Sequence, residues 1–122
     1  MKAYKLHGLR LLEISRDGEP LSTDRDAVNL VGLAWEHGAG LVVIPVEALA
    51  EDFFRLSTRV AGQILHRLLL YKLQVAIVGD VSKHIAESAA FRDFVVESNR
   101  GDQVWFVSSV GELEGKLAKI PY

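Results

Sequence analysis

The stretch LQVAIVGDVSK, Leu73 to Lys83, decides how this chain is read. A short apolar run from Val75 to Val78 ends abruptly in Gly79-Asp80. That is the pattern of a strand covered on both faces and stopped by a turn. A strand that delivers a carboxylate to its end can serve a phosphate acceptor, a magnesium site or the floor of a nucleotide pocket. Each of those uses requires companion residues elsewhere in the chain.

Upstream, LVVIPV (41–46) repeats the buried-strand pattern. Between the two runs, Glu47–Phe54 reads as a short helical turn and Ser57 to Tyr71 as a main helix. Leu56, Val60, Ile64, Leu65 and Leu68 there recur at three- and four-residue spacing and form one sheet-facing stripe. At the N-terminus, Ala3–His7 and Arg10–Ile14 alternate apolar and polar residues around Gly8, the pattern of an antiparallel pair at a sheet edge. After the turn-rich SRDGEPLSTD, Asp24 or Asp26 is expected to N-cap a helix running through Glu36. Val28, Val31, Leu33 and Trp35 supply its apolar surface, and Gly38 supplies its C-cap. Downstream, a helix over Ser88–Asn99 closes at Gly101 and QVWFVSS is the last strand. VGELEGKLAKI is a final helix weakened by Gly111 and Gly115.

The order β-β-α-β-α-β-α-β-α predicts one α/β domain over residues 1–122. Its sheet of about five strands is mostly parallel, with an antiparallel edge and helices on both faces. The 122 residues suffice for a single core, and 49% hydrophobic with 25% charged residues is a soluble composition. A net charge of −2 offers no basic excess for phosphate neutralisation, so nucleic acid is not an expected partner. The absence of cysteine excludes disulfides and thiolate chemistry and fits a reducing compartment. No apolar run approaches the ~20 residues of a membrane span, and the N-terminus lacks a signal-peptide core, so a cytoplasmic setting is expected.

Asp80 finds no acidic neighbours at the ends of LVVI or QVWFV, and no G-x-x-x-x-G-K-[ST] loop brings phosphates to it. GAG (38–40) precedes a strand, whereas a dinucleotide fingerprint follows one. His7, His37, His66 and His84 have no metal-ligand spacing, so neither metal nor cofactor is expected. What remains is the carboxyl edge of the sheet, where open α/β folds bind ligands. Pro45–Glu47, Asp80, Ser82, Lys83 and Ser108–Ser109 gather there, beside a helix start at Ser57, Thr58 and Arg59. Those hydroxyls are also ordinary N-caps, and strand ends commonly carry Asp and Ser.

EDFFRLSTRVAGQIL, VAIVGDVSK, FRDFVVESNRG and WFVSSVGEL, taken together from Asp24 to Leu117, resemble a small bacterial family catalogued as domain of unknown function 4180. His66-Arg67 departs from its more usual Gln-Lys. More distantly, the element order is similar to that of SpoIIAA-like and STAS regulatory domains. That similarity implies a phosphorylatable serine near Ser57, although Leu56-Ser57-Thr58-Arg59 differs from their Asp-Ser-Ser-Gly.

These resemblances imply a non-enzymatic regulatory binding module. It would use Asp52, Ser57, Thr58, Arg59, Asp80, Ser82 and Lys83 toward a protein partner or a small polar ligand. A phosphoregulated switch at Ser57 or Thr58 and a small enzyme with a strand-end pocket are the alternatives. A homodimer through Phe53 and Phe54 is compatible with all of these.

Overall fold

Successive residues of a strand point to opposite faces of the sheet, and in the runs LVVI (41–44), VAI (75–77) and VWFV (104–107) both sets are apolar and buried. The computed structural model describes residues 1–119 of the chain. It orders β1 (Lys2–Leu6), β2 (Leu9–Glu13), β3 (Leu41–Pro45), β4 (Gln74–Val78) and β5 (Val104–Val107) sequentially across one five-stranded sheet. β1 and β2 are antiparallel, and every other pairing is parallel. The α/β class and the antiparallel edge are as the sequence predicts.

Helices α1 (Asp24–Glu36), α2 (Val60–Leu70), α3 (Ser82–Glu87), α4 (Ala89–Arg100) and α5 (Val110–Ala118) complete the described chain. Ile120, placed in the closing helix from sequence, lies outside the described residues. Each parallel crossover steps in the same direction along the sheet. Crossovers of one hand then deposit their helices on one face. Leu12, Val42, Ile44, Val75, Ile77 and Phe106 accordingly pack against α1, α2 and α4. Leu11, Leu41, Val43, Ala76, Trp105 and Val107 face the other way and are covered by Leu113 and Leu117 of α5.

Three local expectations change. The N-cap of α1 is Thr23: its hydroxyl accepts the Asp26 N–H at 3.1 Å while the Asp26 carboxylate accepts the Thr23 N–H at 3.0 Å. A second N–H, from Ser22 at 2.8 Å, helps hold the Asp26 carboxyl below its ordinary pKa. The buried stripe of α1 is Ala27, Leu30, Val31 and Ala34, so Val28, Leu33 and Trp35 are exposed. Small alanines let the helix sit close to the sheet, and that phase turns the larger side chains outward. Finally, the segment after Asp80 holds a short helix, α3, that the sequence reading left out.

Two side chains fasten neighbouring elements. Arg67 of α2 grips the Asp24 carboxylate in a two-pronged pair of 3.0 and 2.9 Å. Asn99 of α4 serves β5, which among the described residues has a neighbouring strand on one side only: its Oδ1 accepts the Phe106 N–H at 2.7 Å and its Nδ2 donates to the Phe106 carbonyl at 3.2 Å. One amide side chain thus satisfies both backbone groups of an edge residue.

Candidate functional site

The carboxyl edge is shaped first by Gly79. Its φ of +141° belongs to glycine, and a Cβ there would stand 2.8 Å from Val46 Cγ2. β4 can therefore leave the sheet pressed against the turn that follows β3. That turn continues as three single-turn 3₁₀ helices, Val46–Ala48, Glu51–Phe54 and Leu56–Thr58, before α2 begins at Val60. The main helix thus starts three residues later than Ser57. Arg59, in left-handed backbone at φ 67°, separates the last 3₁₀ turn from it.

Between this 3₁₀ segment and α3 lies a cleft of about 540 Å³. Ser57 and Lys83, both singled out from sequence, line it together with Arg55, His84, Glu51 and Glu87. Its floor is aromatic: the His84 imidazole stacks on Phe54 with centroids 3.9 Å apart and planes 6° from parallel. Phe54 is itself held edge-on by Phe53 and Phe91. Phe53 and Phe54 are 0% and 5% exposed, which places them in the core and removes them as a dimer face. Arg55 and Lys83 form no ion pair among the described residues, so both cations remain available to a ligand.

Asp80 and Ser82 belong to a neighbouring hollow of about 360 Å³, with Ser108 and Glu112. Here the carboxylates are already engaged. Asp80 accepts the Ser82 hydroxyl at 2.6 Å and its N–H at 2.9 Å, which draws its pKa below the ordinary value. Glu112 does the same with Ser108, at 2.7 and 3.0 Å, with the same consequence.

The structure does not bring Asp52, Thr58 and Arg59 into either hollow. The Thr58 hydroxyl is used internally, lying 2.6 Å from the Asp52 carbonyl and 2.7 Å from that of Arg55, and it accepts the Val60 N–H at 3.3 Å. Ser57, by contrast, is exposed and its hydroxyl has no protein partner among the described residues. The sequence already offers Arg55, with Arg59, as positive charge beside Ser57, and of the two the structure brings only Arg55 into the cleft. His84 is read from sequence only as a histidine without metal-ligand spacing; its place one residue after Lys83 was the available signal for a cleft role.

The ESNRG end of FRDFVVESNRG (97–101) is also explained by structure, since Asn99 holds β5 and the Gly101 carbonyl accepts the Trp105 indole N–H at 2.8 Å. With those residues in place, the family model described as "Domain of unknown function (DUF4180)" matches residues 6–117. The chain belongs to this family. No curated protein and no solved structure matches it. The DUF4180 region spans β2 to β5 and most of α5, so it includes both strand-end hollows.

Proposed function

We propose that the protein is a non-catalytic regulatory binding module whose cleft takes an anionic group of a small polar ligand or of a protein partner. The observation that carries this reading is the pair of cations, Arg55 and Lys83, that reach one cleft from separate segments without an ion pair of their own. Arg55 offers a planar fork suited to carboxylate or phosphate, and Lys83 a mobile point charge. Ser57 adds a free hydroxyl, and the Phe54–His84 stack adds an apolar floor. Glu51 and Glu87 on the rim disfavour highly charged polyanions and favour a ligand with both anionic and donor groups.

A binding role is also supported by the neighbouring carboxylates. Asp80 and Glu112 each accept a serine hydroxyl and N–H, which lower their pKa, the direction opposite to the upward shift that suits a carboxyl to acid–base work near neutrality. The test is a thermal-shift and NMR titration against phosphate, nucleotides and small carboxylates, with Arg55→Ala/Lys83→Ala as comparison. A ligand at 100 times its dissociation constant stabilises by about 2.7 kcal/mol. If no anion class shifts the wild type, or if the double variant responds equally, the proposal fails.

The second reading is a phosphoregulated switch, and the free hydroxyl favours Ser57 over the internally bonded Thr58. A phosphate at Ser57 would stand in the cleft lined by Arg55 and Lys83. Intact-mass analysis of protein from its native host decides it. An unmodified chain under every growth condition sinks the switch.

A further inference from the structure

The outer surface of α1 carries a combination that the monomer does not explain. Trp35 is 66% exposed and Val28 45%, and between them stands Gly32, where an added Cβ would meet nothing within 4 Å. A glycine inside an exposed helix costs about 1 kcal/mol relative to alanine. Neither a turn nor close packing among the described residues requires it at this position. Beside these residues, the Trp35 ring meets Tyr71 edge-on at 5.9 Å, and Tyr71 and Leu70 are themselves 40% and 57% exposed. Four exposed apolar side chains, Val28, Trp35, Leu70 and Tyr71, thus stand on two adjacent helices, joined at the Trp35–Tyr71 contact.

We propose that this α1–α2 surface is the interface of a two-fold homodimer, with α1 packing antiparallel on α1 of a second copy. The charges of α1 select this occupant. Arg25 and Glu36 lie on the same outward face as Gly32, one near each end of the helix. They are about 16 Å apart along the axis, too far to pair within one chain, and neither has an ion-pair partner among the described residues. A two-fold axis passing between Leu30 and Val31 carries Arg25 of each copy to Glu36 of the other. The same operation lays each Trp35 over Val28 of the second copy and lets the backbones approach at Gly32. One surface is then complementary to itself in charge and in shape. α1 is only about 20 Å long, so an interface of about 800 Å² per copy must extend over Leu70 and Tyr71 of α2.

Sedimentation velocity from low micromolar to several hundred micromolar, with Trp emission followed over the same range, tests the proposal. Expected is a monomer–dimer equilibrium with a concentration-dependent blue shift, since Trp35 is exposed whereas Trp105 is already buried. Glu36→Arg and Arg25→Glu each weaken association at least about tenfold, and the double exchange restores it. Gly32→Glu abolishes the dimer while far-UV circular dichroism stays that of the wild type. A wild type that stays monomeric throughout, or a double exchange no tighter than the single variants, overturns the proposal.

Discussion

Replacing Asn99 by alanine removes one exposed-edge device and leaves the core side chains in place. Two bonds vanish, the 2.7 Å bond from the Phe106 N–H and the 3.2 Å bond to its carbonyl, at a residue only 6% exposed. A buried backbone group left unsatisfied costs about 1–3 kcal/mol. Water entering the vacated space at the sheet edge recovers part of this for one of the two groups. The expected loss is therefore about 2 kcal/mol. The unfolding entropy for 122 residues, at about 2.1 cal/mol/K each, is about 0.26 kcal/mol/K. The melting temperature should then fall by about 8 °C. Urea unfolding should show a lower midpoint with an unchanged slope. Glu97→Ala, two residues away in an exposed pair with Arg100 at 3.3 Å, is the control and should change stability by less than about 0.5 kcal/mol. An Asn99→Ala loss no larger than that of the control would refute the role given to Asn99.

Three further outcomes are expected. Gly79→Ala should destabilise by about 2–4 kcal/mol, because it combines a φ of +141° with a 2.8 Å approach to Val46; a stability within error of wild type in urea would contradict this geometry. Arg59→Gly should stabilise by about 1 kcal/mol, since Arg59 holds left-handed backbone at φ 67°; the check is the same urea midpoint, and a decrease would show that the arginine side chain outweighs the strain. Desolvation, with the 3.0 Å bond to Glu13, raises the Tyr4 phenol from 10.0 to about 12. The folded state thus prefers the protonated phenol, so its contribution is intact below pH 10 and is lost as pH rises from about 10 to about 12. An absorbance titration should find Tyr4 ionising late, and Tyr4→Phe should remove that late step.

Much of the fold was legible because periodicity reports burial. The runs around Val42 and Val75 are apolar at every position since α1, α2 and α4 cover one face and α5 covers the other. α1 shows where that logic failed. Val28, Leu33 and Trp35 count as apolar in any pattern, yet the alanines chosen by close helix–sheet approach set the helix phase. The same failure hid the outward Trp35 and Gly32. At the site, Ser57 and Lys83 were legible as hydroxyl and cation near strand ends. That Thr58 would spend its hydroxyl on the Asp52 and Arg55 carbonyls was not, because a 3₁₀ turn and a helix start share the same composition.

By itself, then, the sequence determined an α/β domain with Gly79-Asp80 at the ligand-prone edge of a central strand. Local pattern suffices for this, since strand alternation, helical spacing and turn residues each act within a few positions. The tertiary structure alone decided that Asp80 turns to Ser82 and away from the Arg55–Lys83 cleft. It alone set His84 on Phe54, 30 residues away in the chain. Those choices depend on how β3 and β4 leave the sheet past Gly79, a contact between distant segments that no local pattern encodes.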